Sequence, residues 1–356
     1  MTANPDLLRA LHIQARACEQ FGSPFNAALL ARIAADLEAG GPTRALLARW
    51  EATGLKTLFD DGVPIRIANT FNHLAMGGED PALTAAWPEP DAAIDAEAAW
   101  AAARAAIGLH FPMLSAFLDH EPQTNEVRRA GGLLGGFLTV AAETGLPLRC
   151  FEIGASAGLN QFWDRFRYDM GPVAWGDPGS PVQIGADWEG APPPLQSVEV
   201  IERGACDRRP TDLTDPVQRR RLLACVWPDM FDRLERSRRA IDLALASGVE
   251  VDAADALAWT RERVAPQPGA ATVLYHSVFW QYLPAETQAG LTDAIREIGA
   301  RATDQSPFAW LRFEPSADNL ALIEVKLSLW PIGAGRTLAQ AHPHGAWTRW
   351  IAPGAI

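Results

Sequence analysis

Residues 148–165 read Leu148-Arg149-Cys150-Phe151-Glu152-Ile153-Gly154-Ala155-Ser156-Ala157-Gly158-Leu159-Asn160-Gln161-Phe162-Trp163-Asp164-Arg165. The run opens with Leu148, Cys150, Phe151 and Ile153. This apolar set suits a strand buried on both faces of a parallel sheet. Gly154 to Gly158 are all very small and make a tight turn. Leu159, Phe162, Trp163 and Phe166 then recur at helical spacing. The expected unit is strand, glycine turn, helix, with backbone N–H groups and a helix N-terminus aimed at whatever lies above the strand end.

Two chemistries use such a turn. A nucleotide-type cofactor needs glycines to approach the backbone, and an acidic residue near the strand end, here Glu152, to hold its polar groups. Glu152-Ile153-Gly154-Ala155-Ser156-Ala157-Gly158 resembles the acidic residue, spacer and glycine-rich turn of the S-adenosylmethionine-dependent methyltransferases, with Ser156 where a middle glycine often sits. The other chemistry is the nucleophile elbow G-x-S-x-G, which Gly154 to Gly158 matches letter for letter.

The remaining chain frames that choice. Its 356 residues suffice for one large domain or two ordinary ones. A net charge of -12 argues against non-specific binding to nucleic acid or an anionic membrane. Arg208-Arg209 and Arg219-Arg220-Arg221 read as local solvated faces. The four cysteines are scattered without a C-x-x-C pair, which fits a reducing compartment. The N-terminus lacks a signal-peptide pattern, and no apolar window reaches bilayer length. A cytoplasmic protein acting on a small molecule is expected. His342 and His344 alternate, yet no H-E-x-x-H or cysteine cluster accompanies them, so no metal is expected.

From Pro5 to about Glu121 the pattern is helical. Leu7, Leu8, Leu11 and Ala15 form one stripe, Ser23 caps a helix that starts at Pro24, and further helices are expected over 43–50, 65–76 and 94–107. Gly77-Gly78 stops one, and Pro112 kinks or ends another. With no strand in sight, residues 1–122 form an all-helical module and 123–356 a second domain. Thr124 or Asn125 is expected to cap a helix over 127–143. Glycine inside a helix costs roughly 1 kcal/mol against alanine, so Gly131-Gly132 and Gly135-Gly136 imply close packing there. Residues 168–195 read as a long irregular insertion over a site. Strands are expected at 198–206, 249–251 and 271–275, with helices between them. An antiparallel edge pair follows at 308–313 and 321–327. The order predicts an α/β fold with a doubly wound, Rossmann-like sheet.

The candidate site follows from the strand ends. Asp207 ends the second strand, where methyltransferases hold the ribose hydroxyls. Asp255, with Ala256, follows the third, where an acidic residue takes the adenine amino group. His276-Ser277 ends the fourth, beside the methyl-transfer position. Glu152, Gly154, Ala155, Ser156, Gly158, Asn160, Asp207, Asp255, Ala256 and Ser277 are therefore the expected cofactor-binding residues. His276 is the expected general base, because its ordinary pKa near 6.5 suits proton transfer. Asn125, Glu126, His342 and His344 are expected to line the rest of the pocket. Each position also has a plain reading: helix caps for Asp207 and Asp255, a hydrogen-bonded core residue for His276. A hydrolase triad would combine Ser156, Asp255 and one of His276, His342 or His344. It lacks the strands that should precede an elbow, and its glycine pairs fall inside a helix.

Glu152 to Asn160 with Trp163-Asp164-Arg165 carry a wider resemblance. So do Thr124-Asn125-Glu126-Val127, His276-Ser277 with Tyr282-Leu283-Pro284, His342-Pro343-His344-Gly345 and the early Gly22-Ser23-Pro24. Together they resemble a bacterial family known as domain of unknown function 2332, over nearly the whole chain. The resemblance implies a distant branch of the methyltransferase superfold and no assigned substrate. The expected function is an S-adenosylmethionine-dependent, methyltransferase-like enzyme acting on an unknown small molecule. The alternatives are a serine hydrolase and a non-catalytic nucleoside-binding protein, since fold alone does not give function.

Overall fold

The computed structural model describes residues 3–319, 321–333 and 335–352. In chain order the elements begin with α1 (Pro5–Gln20), α2 (Pro24–Glu38), α3 (Thr43–Leu46), α4 (Leu55–Asp60), α5 (Val63–Gly77), α6 (Pro81–Ala86), α7 (Ala96–Phe117) and α8 (Arg129–Thr144). There follow β1 (Leu148–Ile153), β2 (Arg167–Asp169), β3 (Ala174–Trp175), β4 (Gln183–Gly185), β5 (Asp187–Glu189) and β6 (Val200–Asp207). Next come α9 (Pro216–Ala224), α10 (Phe231–Ala246), β7 (Asp252–Ala253), α11 (Ala256–Arg263), β8 (Ala271–Ser277) and α12 (Ala285–Gly299). The chain closes with β9 (Phe308–Pro315), β10 (Ile323–Trp330), β11 (Arg336–Ala341) and β12 (Trp347–Trp350). None of these helices is long and apolar enough to cross a membrane.

Two compact units emerge. The first joins Met1–Thr124 to Thr214–Arg238, a segment that sequence alone groups with the second domain. Among its described residues it has no strand. Ser23 caps α2 through Asn26 N–H, and its neighbour Phe25 donates its N–H to Asp229 Oδ2 at 2.9 Å. Asn72 of α5 donates to the carbonyls of Ala224 and Val226 and accepts from Trp87 Nε1. α7 kinks at His110, two residues before Pro112, whose ring and missing N–H prevent a regular turn. The short helices α4, α6 and α9 were not foreseen, because none carries a full amphipathic stripe.

The second unit joins Asn125–Leu213 to Arg239–Ile356 and holds a nine-stranded sheet. Its order is β5-β12-β11-β10-β9-β8-β1-β6-β7. The neighbours from β7 across to β9 are parallel, and β10, β11 and β12 continue antiparallel. In chain order the parallel strands lie third, second, first, fourth, fifth. The winding therefore reverses between β1 and β8, and such a reversal opens a crevice at the carboxyl ends of the strands. β1 is buried at every position, as its apolar run requires.

Strand alternation separates two faces. Phe151 and Ile153 pack with Leu274, Phe308, Trp310 and the α11 and α12 side chains Trp259, Leu291 and Ile295. On the other face Phe137 of α8 stacks on Trp163 at 4.0 Å and meets Tyr275 edge-on at 5.0 Å. The α8 glycines do pack closely: a Cβ on Gly132, Gly135 or Gly136 would run into Phe313, Trp350 or Leu311.

Several local expectations are corrected. After the glycine turn the chain forms a 3₁₀ segment, Leu159–Arg165, with Phe162 off the helical region, and turns extended at Phe166. Residues 168–195 are partly ordered as the small sheet β3-β2-β4, and β5 pairs with β12. The β9–β10 pair is antiparallel but lies inside the sheet, since β11, β12 and β5 extend beyond it. The third parallel strand is only Asp252–Ala253, past the expected 249–251. No side chain caps α8, because Asn125 is engaged with the β1 turn.

Candidate functional site

The site is built at the carboxyl edge, on the turn after β1. Ala155 N–H donates to Cys206 O at 3.1 Å and Gly158 N–H to Ala155 O at 2.8 Å. Ser156 N–H donates to Asp207 Oδ2 and Leu159 N–H to Asn125 Oδ1, both at 2.9 Å. The N–H groups of Ala155, Ser156, Gly158 and Leu159 are thus committed within the protein, that of Ser156 to a carboxylate. Gly154 and Gly158 have φ of +69° and +74°, which favours glycine, and Ser156 adopts +56° with its Oγ buried and without a hydrogen-bond partner. Asp207 Oδ1 accepts Arg209 N–H at 2.8 Å, so each of its oxygens keeps a further lone pair. Asp255 caps α11 through the N–H groups of Leu257 and Ala258 and is otherwise exposed, while Ala256 is buried at the helix start.

The loop after β8 closes over this turn. The Phe279 ring lies where a Cβ of Gly154 would be. Val278, just before it, has φ +49°, a strained conformation for a β-branched residue. Glu314 at the end of β9 holds the loop there. Its carboxylate accepts Phe279 N–H at 3.0 Å, Trp280 N–H at 3.3 Å and His276 Nδ1–H at 2.6 Å. His276 is fully buried, and its Nε2 accepts Trp310 Nε1–H at 3.1 Å. Trp280 stacks on the imidazole at 5.3 Å. An Nε2 that accepts an indole N–H leaves the proton on Nδ1. Both ring nitrogens are therefore occupied, the hydrogen-bonded core arrangement.

The other face gathers a second group. Asn160 Nδ2 donates to Glu126 O at 3.4 Å, and Arg128 N–H to Glu126 Oε1 at 3.1 Å. Arg129 donates to the carbonyls of Pro343 and Ser277. His342 Nδ1 accepts His344 N–H at 3.1 Å. Burial, then the nearby Arg128 charge, holds the His342 pKa below its ordinary value. Asn125, Glu126, Asn160, Ser277, His342 and His344 thus converge around the start of α8, while the His276 ring lies on the α12 face of the sheet. Beneath them Glu152 is buried, and Tyr275 OH donates to its Oε2 at 3.3 Å. Burial pushes the Glu152 pKa up to about 8; the Tyr275 bond pulls it down and the Asp207 charge adds to the rise.

Sequence reasoning missed Phe279, Glu314 and Tyr275. Their one signal was position, at or just past the ends of the fourth and fifth parallel strands. Among the described residues no group of three or more His, Cys, Asp or Glu is placed to hold a metal ion.

Fold and site together define a mixed α/β protein with a large, mostly parallel sheet and its most elaborate polar architecture at the carboxyl edge. The family model described as "Uncharacterized protein conserved in bacteria (DUF2332)" matches residues 9–350, and the chain belongs to that family. No curated protein and no solved structure matches it.

Proposed function

We propose that the chain is a Rossmann-like, methyltransferase-type enzyme that binds S-adenosylmethionine at the carboxyl edge of its sheet and acts on a small molecule. The carrying observation is the strand order: a glycine turn after the first strand, Asp207 ending the second and Asp255 following the third, on three successive parallel strands running outward from the reversal between β1 and β8. The residues present fit the ligand by charge. A phosphate cradle needs several free N–H groups, and this turn commits those of Ala155, Ser156 and Gly158 within the protein, that of Ser156 to the Asp207 carboxylate. An acidic edge suits a cationic nucleoside and repels a dinucleotide. Asp207 and Asp255 offer acceptors to hydroxyl and amino groups. The Phe279 ring packed against Gly154 puts an aromatic group beside the turn, the kind of group that attracts an onium centre.

When bound, S-adenosylmethionine supplies an electrophilic methyl group. Such chemistry asks the protein chiefly for positioning. The histidines agree, because His276 has both nitrogens engaged and His342 uses Nδ1 to accept a backbone N–H. In this reading His276 orients Glu314 and the Phe279 loop. Titration of the ligand into wild type and Asp255→Ala tests it. The expected result is micromolar binding to wild type and roughly tenfold weaker binding to the variant, with a lost cap costing about 1 kcal/mol of stability. Equal affinity in both would remove Asp255 from the site.

One observation favours the hydrolase reading: Ser156 has the positive φ and unpartnered Oγ of an elbow nucleophile. It lacks a base, since no imidazole hydrogen-bonds that Oγ among the described residues. Covalent labelling of Ser156 by a fluorophosphonate, without S-adenosylmethionine binding, would establish it instead.

A further inference from the structure

β7 is two residues long and pairs with β6 only at Cys206 and Asp207. Nearer its start, β6 has β1 on one side and no strand on the other among the described residues. A cavity of about 160 Å³ occupies that open edge, beside Arg203, Gly204 and Ala205. A cavity of roughly 150 Å³ is enough for a molecule the size of benzene, but an apolar lining keeps that one dry. Here the lining is polar and includes Arg165, Arg203 and Arg263.

The three guanidinium groups are not equivalent. Arg203 is committed to Asp164 Oδ2 and Gln161 O, both at 2.6 Å. Arg165 donates to the neutral hydroxyl of Ser247 at 2.6 Å and pairs with no carboxylate among the described residues. Arg263 has no partner there at all. The Phe162 ring sits under both Arg165 and Arg203, each 5.6 Å from its centroid, and so keeps both guanidinium groups at the cavity. Two carboxylates also line it. Asp252 Oδ2 accepts Trp259 Nε1–H at 2.6 Å, and Glu250 is exposed.

We propose that this cavity binds a small oxyanion, a phosphate or a carboxylate of a few heavy atoms. Two guanidinium forks without counter-ions on one polar cavity match the paired oxygens that both anions present. The site is independent of the nucleoside reading, because Asp207, Asp255 and Phe279 do not line it.

Calorimetric titration of the full chain at constant ionic strength, with inorganic phosphate, acetate or glycine, tests the proposal. Phosphate or acetate should bind one to one, and the better of the two identifies the source. Arg263→Gln and Arg165→Gln should each weaken that binding at least about tenfold, the loss expected of one charge-assisted bond. Both side chains are exposed, so melting temperatures without added anion should not change. Absence of binding by both anions overturns the proposal. So does equal binding by wild type and both variants, which would place the anion elsewhere. Binding of glycine alone also overturns it, since Glu250 and Asp252 would then be receiving an ammonium group.

Discussion

Glu152 and His276 show how much burial decides at single positions. The Glu152 carboxyl lies under the β1 turn with its pKa pushed up to about 8 from an ordinary 4.5, so the folded protein holds a proton there that the unfolded chain gives up. Where the folded state binds the extra proton, stability falls as pH rises. Its contribution is therefore complete below about pH 4.5 and lost as pH climbs to about 8. Glu152→Gln should flatten that slope, as denaturant midpoints at acidic and mildly alkaline pH would record. An unchanged slope would mean that Glu152 is ionised in the fold. His276→Ala should orphan the Trp310 N–H and one bond of Glu314. Each buried orphan costs about 1–3 kcal/mol, so the variant should melt clearly lower. If it melts normally but loses turnover, the positioning role fails and His276 acts on substrate.

At the scale of elements, α8 was the most legible, because glycine pairs inside an amphipathic pattern have few uses other than close approach. Gly132→Ala should gain up to about 1 kcal/mol of helix propensity and lose about 1–3 kcal/mol to overpacking against the buried Phe313 ring. Gly108→Ala in α7, where no atom lies within 4 Å of a new Cβ, should only gain. Opposite shifts in melting temperature would confirm the packing account, and shifts of the same sign would contradict it. The segment after the turn was misread for an equally physical reason. Leu159, Phe162 and Trp163 have helical spacing, but Leu159 N–H, Asn160 and Gln161 are tied to Asn125, Glu126 and Glu250, which holds the chain in a tighter coil. Those partners lie up to 89 residues away, beyond the reach of any local pattern. The clamp of Glu314 on the Phe279 loop was invisible for the same reason.

For the whole molecule, the order of strands along the chain was readable and their order across the sheet was an inference from it. Buried apolar runs and acidic strand ends located β1, β6 and β8. β11, β12 and β5 escaped notice because they are short and mix polar with apolar residues, as outer strands do. Asp207 and Asp255 were legible as acidic residues at strand ends; that Asp207 is turned onto Ser156 N–H was not, since it depends on the turn's own geometry. From that geometry comes the central claim, an edge built for a cationic nucleoside. The most direct measurement is a pair of calorimetric titrations of the wild-type chain, one with S-adenosylmethionine and one with NAD. The account predicts one-to-one binding of the sulfonium ligand and none of the dinucleotide. Binding of NAD, or of neither ligand at millimolar concentration, would contradict it.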